Sequence, residues 1–213
     1  MKALESASVP AEVKTPVLKR FVPILILVGL CWLVFGLDRA LWGGRLTQHG
    51  VLPRQVQGLP GILWAPFLHG SFKHLAANTV PLLFLGGILC VRSRLEFALV
   101  AVAGILLSGG LTWVLARNAC HIGASGLVFC FFGYLASQAL FRRTFGTLAL
   151  SAVCLLAYGG MLRGMLPTSA AISWESHVAG LLAGVGLAWA ASRLNAPRKD
   201  AESSSAGSQT GRV

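Results

Sequence analysis

Six runs without a charged side chain divide this sequence, at residues 21–37, 74–91, 97–116, 122–141, 147–162 and 177–191. Each comes close to the ~20 residues an α-helix needs to cross the hydrocarbon of a bilayer. The expected fold is therefore all-α, a polytopic membrane protein built as a six-helix bundle. A mean hydropathy of +0.70 with only 12% charged residues excludes an ordinary soluble domain. The net charge of +11 would suggest a nucleic-acid partner in a soluble chain. Here the basic residues cluster between the apolar runs, where they report topology, and no nucleic acid is expected.

Counting them sets the orientation. Lys2, Lys14, Lys19, Arg20, Arg92, Arg94, Arg142, Arg143, Arg193, Arg198, Lys199 and Arg212 fall on one side. Only Arg39, Arg45, Arg54, Lys73, Arg117 and Arg163 fall on the other. The richer side is cytoplasmic by the positive-inside rule, and six spans return both termini to it. A bacterial plasma membrane suits this organisation: a disordered head over residues 1–17, a membrane domain over 18–193 and a disordered tail over 194–213. Lys19-Arg20 before the first run resembles a signal peptide. The run is too long for a usual h-region and no A-x-A site follows, so it is read as a retained span ended by Asp38 and Arg39.

Residues 39–69 contain Gly43, Gly44, Pro53, Pro60 and Pro66, which forbid one long helix. Trp42, Trp64 and the Ile62-Leu63-Trp64 patch suit a loop dipped into the membrane interface. The five cysteines (Cys31, Cys90, Cys120, Cys130, Cys154) show neither zinc spacing nor a disulfide framework and read as small core residues. No metal or cofactor is expected.

With this topology several polar residues share one layer near the outer face. Ser125 lies near the outer end of the fourth run, His74 and Asn78 at the outer end of the second with His69 just above, and His177 at the start of the sixth. Histidine and asparagine are costly in hydrocarbon and mark a functional site by default. Ser125 has a packing reading, since Gly123-Ala124-Ser125-Gly126 would let a neighbouring helix approach. It also has a nucleophilic one, in which His177 takes its proton as general base. The oxyanion formed would need donors, supplied by the backbone at Ser125 and the side chains of His74 and Asn78, unless those two are only polar glue between helices. His69 could brace the loop or share the wet site. His121 reads as an interface residue capping its loop, Glu175 as facing solvent, and Pro81 as a bend suited to packing.

Absences narrow the chemistry. Every Asp and Glu lies outside or at the margin of a run, so paired intramembrane aspartates are excluded, and no H-E-x-x-H occurs. Gly180-x-x-x-Gly184-x-x-x-Ala188 forms a smooth ridge in the sixth run. Packed on Gly126 and Gly133 of the fourth, it would bring Ser125 and His177 together. The reading requires these two residues to meet in a wet recess at one depth.

At these positions the chain resembles the rhomboid family of intramembrane serine proteases. The motifs are His69-x-x-x-x-His74-x-x-x-Asn78, Gly123-x-Ser125-Gly126 and His177-x-x-Gly180, in the family's order, across residues 20–193. The resemblance implies a Ser125/His177 dyad and an oxyanion hole from His74, Asn78 and the Ser125 backbone. It also implies transmembrane protein substrates that enter laterally from the lipid bilayer, past the fifth run and the loop before Trp174. Two positions depart from the pattern. Phe129 stands where well-known members often carry tyrosine, so it can pack on His177 but donates no hydrogen bond. The adjacent Trp-Arg pair of some members' first loop is missing, although Trp42 and Arg45 lie near one another. A non-catalytic scaffold that binds membrane clients is the alternative function; retention of both Ser125 and His177 argues against it. A transporter or metal carrier using His69, His74 and His177 would call for further ligands within the spans.

Overall fold

The computed structural model describes residues 17–169 and 172–194. Most of the expected head and tail lies outside the described residues. Six main helices follow one another: α1 Val22–Leu37, α2 Phe72–Arg92, α3 Arg94–Leu115, α4 Ser125–Phe141, α5 Phe145–Tyr158 and α6 Trp174–Leu194. A π turn, Asp38–Trp42, extends α1, and a 3₁₀ segment, Gly159–Met165, extends α5. With these extensions, five of the six are 21 or 22 residues long and apolar enough to cross a membrane; α4, with 17, is shorter.

The helices start earlier than the apolar runs because polar caps, not apolar residues, begin them. Ser71 accepts from the His74 N–H and Ser93 from the Glu96 N–H, satisfying amides that the first turn leaves open. Thr144 and Thr147 form a reciprocal capping box at α5. The sixth helix likewise begins at Trp174, so His177 sits within its first turn and not at its tip. The opposite correction applies to the fourth, where residues 122–124 are not helical and α4 begins at Ser125. Asp38 does not end the first span either. It is buried, and its carboxylate accepts from the Leu46 N–H at 3.0 Å while its carbonyl accepts from Gly44 at 3.1 Å, turning the chain into the next segment.

Helix α4 is the centre of the bundle, with 12 of its 17 residues buried, and it packs most extensively on α6. The glycines explain why. A Cβ on Gly180 would overlap the Gly126 carbonyl, one on Gly184 would overlap the Cys130 carbonyl, and one on Gly133 would lie 2.6 Å from the Leu181 carbonyl. Backbones this close gain dispersion contacts along their length. Helix α5, by contrast, buries only Ser151 and Cys154.

Past the π turn, residues 43–69 form short 3₁₀ and α turns docked on the end of α3. Arg54 donates to the carbonyls of Val114 (3.1 Å) and Ala116 (2.7 Å) and to Asn118 Oδ1 (2.5 Å), closing carbonyls that the helix end leaves open. Val51 and His121 pair by two backbone hydrogen bonds of 2.9 Å. Ile62 packs inward on Gly109, while Leu63 and Trp64 are half exposed, as an interfacial patch requires. Cys31, Cys90, Cys130 and Cys154 are buried; Cys120 is exposed, against the core expectation.

Candidate active site

A recess of about 1010 Å³ opens at the Ser125 end of the bundle, between α2, α4, the extension of α5 and α6. Its lining includes Ser125, His177, His74 and Asn78. The short α4 creates it. At ~1.5 Å per residue, 17 residues fall several ångströms short of neighbours with 21 or 22, so the chain reaches Ser125 through non-helical backbone. Such backbone persists at membrane depth only where it is covered by protein or lines a wet cavity.

His177 is held on two sides. Its ring stacks on Phe129 at 4.4 Å with an interplanar angle of 9°, one helical turn below Ser125 on the same face of α4. Its Nδ1 lies 2.7 Å from the Gly164 carbonyl. A carbonyl can only accept, so the proton is on Nδ1 and Nε2 presents a lone pair. Gly164 could not have been found from the sequence, because any residue supplies a carbonyl. Ser125 and His177 line the same recess, and among the described residues no hydrogen bond joins Ser125 Oγ to the imidazole.

Gly123 supplies the turn into α4. Its φ of +106° suits glycine alone, and a Cβ would come within 2.5 Å of His74 Nε2. Its N–H donates to the Ala65 carbonyl at 2.8 Å. The loop therefore lies against the His74 ring, and the same Cβ would also reach the Asn78 amide at 3.5 Å. The N-cap side chain makes no hydrogen bond to α4, the Ala124 N–H approaches His69 Nε2 at 3.5 Å, and Ser125, at the positive end of the helix dipole, lines the recess.

His69 organises Asn78. Its ring is only 1% exposed, and burial, followed by the neighbouring His74, pushes its pKa down to about 4. The neutral ring donates from Nδ1 to the Phe67 carbonyl at 3.3 Å, so Nε2 must accept. Asn78 meets it at 3.1 Å with its amide nitrogen, which leaves a second N–H free to point into the recess. His69 is thus a brace behind the site.

One expectation fails here and another is refined. His121, expected to cap its loop at the interface, does bond the Arg117 carbonyl of that loop but is buried, 3% exposed, against Ser173 Oγ. Glu175 does not face solvent but is buried against Arg117, at 3.1 Å. Both sit in a polar cluster beside the first turn of α6, which draws them inward. Cys120, also in the recess wall, is a poor nucleophile: although the residue is exposed, partial desolvation of its sulfur raises the thiol pKa, and its Sγ lies 3.2 Å from the Thr47 carbonyl. Among the described residues no three His, Cys, Asp or Glu side chains form a group that could hold a metal ion.

A family model described as the rhomboid domain matches residues 57–194. The chain belongs to the rhomboid family. An uncharacterized protein of Mycobacterium tuberculosis and one of Mycobacterium bovis are each 38% identical to it over 188 residues, spanning 84% of this chain and 76% of the relative. One of Mycobacterium leprae is 33% identical over 187 residues, with 84% and 72% covered. This rhomboid is an integral membrane protein, and the matched region contains all three motifs and the recess.

Proposed function

We propose that this rhomboid is an intramembrane serine endopeptidase that hydrolyses peptide bonds in or near the transmembrane segments of other membrane proteins. Ser125 is the nucleophile and His177 the general base. The observation that carries the reading is the His177 imidazole: Nδ1 is committed to the Gly164 carbonyl, so Nε2 is free in the recess that Ser125 also lines.

The reaction proceeds in two halves. Ser125 Oγ attacks the scissile carbonyl carbon while Nε2 takes its proton, and the oxyanion is met by the Ser125 N–H and by His74 and Asn78. The tetrahedral centre collapses, the C–N bond breaks, and Nε2 returns the proton to the leaving amine. Water then attacks the acyl ester with His177 again as base, releasing the carboxyl product and restoring Ser125. The recess supplies that water. Gly123, Gly126 and Gly180 serve the chemistry indirectly by letting the two helices and the turn approach. Substrates enter sideways past the sparsely packed α5.

The site faces the outside of a bacterial plasma membrane, with both termini in the cytoplasm and one catalytic domain over residues 18–193. Basic residues favour this orientation twelve to six.

The missing Ser125–His177 hydrogen bond favours a second reading, a scaffold that binds membrane clients without cutting them. Catalytic hydrogen bonds in unliganded enzymes are often long or poorly aligned, so a missing bond does not exclude catalysis. Purified protein in liposomes is expected to cleave a transmembrane substrate, with Ser125→Ala and His177→Ala each lowering the rate at least ~10³-fold while the fold persists. Cleavage that survives both substitutions rejects the dyad. An intact substrate that co-purifies equally with all three proteins supports the scaffold.

A further inference from the structure

The polar cluster beside α6 contributes Arg117, His121 and Ser173 to the wall of the recess and is itself densely hydrogen-bonded. Arg117 follows the end of α3, and its Nη1 contacts both Glu175 oxygens, at 3.1 and 3.2 Å. Its Nη2 donates to the Ile172 carbonyl at 2.8 Å, and its N–H approaches Glu175 at 3.4 Å. His121 donates from Nε2 to the Arg117 carbonyl at 3.0 Å, and its Nδ1 shares a hydrogen bond of 2.5 Å with Ser173 Oγ. Ser173 continues to Ser176 at 2.6 Å, and Ser176 to Thr112 on α3 at 3.2 Å.

These bonds converge on residues 172–176, the entry to α6 immediately before His177. A helix's first turn has no internal partners for its N–H groups and frays unless something outside holds it. Here an ion pair, an imidazole and a hydroxyl chain hold it to the end of α3 and the loop after it. The same loop runs on through Gly123 to Ser125. One clasp therefore sets where both reacting groups stand.

Resting on the protease reading above, we propose that Arg117, Glu175 and His121 are positioning residues: they clamp the first turn of α6 to the loop that delivers Ser125, and so fix the His177 imidazole relative to the serine. None of the three touches the reacting atoms. The guanidinium neutralises Glu175, and the fork-shaped donor set of arginine reaches carboxylate and carbonyl at once, which lysine cannot match.

The test compares Arg117→Ala, Glu175→Ala, His121→Ala and the milder Glu175→Gln with the unsubstituted chain in liposomes. The alanine variants are expected to lower kcat at least 10-fold with KM within twofold, and Arg117→Ala with Glu175→Ala combined to be no worse than the worse single change. Glu175→Gln, which keeps one acceptor, should retain more activity than Glu175→Ala. A second readout needs no cleavage: acylation of His177 by diethyl pyrocarbonate, located by mass spectrometry, should be at least threefold faster in the alanine variants. Unchanged kcat and unchanged His177 acylation in folded variants would overturn the clasp, as would a kcat loss that only tracks the folded fraction. Cleavage persisting in Ser125→Ala overturns the protease reading alone, and the His177 acylation rates still decide the clasp.

Discussion

The two ends of this bundle hold similar polar side chains and use them differently. At the Arg92 end, Arg92 pairs with Glu96 at 3.0 Å and donates to Gln138 at 2.7 Å, and the Tyr134 hydroxyl donates to Glu96 at 2.8 Å. Tyr134 and Gln138 are 4% and 3% exposed, and each polar group finds its partner. At the Ser125 end, no described hydrogen bond engages Ser125 Oγ, the second nitrogen of His177 or the His74 ring. No fully buried side-chain nitrogen or oxygen lacks a partner anywhere among the described residues, so these open atoms face the recess. Polar groups that satisfy one another hold helices together, and polar groups left open to a wet cavity await a ligand.

The sharpest way to break that contrast is to remove one open donor. Asn78→Ala takes away the free amide N–H while keeping the α2 backbone and most of its packing. It is expected to lower kcat 10²- to 10³-fold, about 3–4 kcal/mol of transition-state stabilisation, as loss of a single oxyanion donor does. Thermal unfolding in detergent should move far less. A variant that unfolds readily yet keeps its rate would show Asn78 to be glue like Gln138.

Only the Ser125 end of this contrast was legible in the chain. Uncharged run lengths located all six helices, and helix periodicity placed His74 and Asn78 on one face, which lines a recess with Ser125 and His177 and is backed by His69. What escaped was settled by partners distant in sequence. His121 and Glu175 look like surface residues until Ser173 and Arg117 arrive from 52 and 58 positions away. The Gly164 carbonyl carries no side-chain signature. Helix starts were misjudged because an apolar run marks the hydrocarbon, whereas Ser71, Ser93 and Thr144 mark where backbone amides are first satisfied.

A change of pH sharpens the comparison next. His69 is neutral and buried with a pKa near 4, against an ordinary 6.5. The unfolded chain therefore takes up a proton that the folded one refuses between those values, and stability is lost as pH falls from 6.5 towards 4. The loss is on the order of 3 kcal/mol, from 1.36 kcal/mol per unit. His69→Gln should flatten this part of the slope in unfolding midpoints measured across that range. A slope identical to that of the unsubstituted chain would mean that His69 is already protonated in the fold.

The smallest effect belongs to the closed end. Tyr134→Phe removes one hydroxyl whose acceptor, Glu96, keeps its bond to Arg92. The acceptor is not stranded, because the Glu96 side chain is 21% exposed and remains paired. The cost is then that of one hydrogen bond to a charged group, about 1.5–3 kcal/mol at most, and it falls on stability. The rate of the folded fraction should be unchanged, since the proposed nucleophile Ser125 lies at the other end of α4, two helical turns or more from Tyr134. A loss of kcat without a loss of stability would show that the two ends of α4 are coupled, and that the closed network helps to set the geometry of the open one.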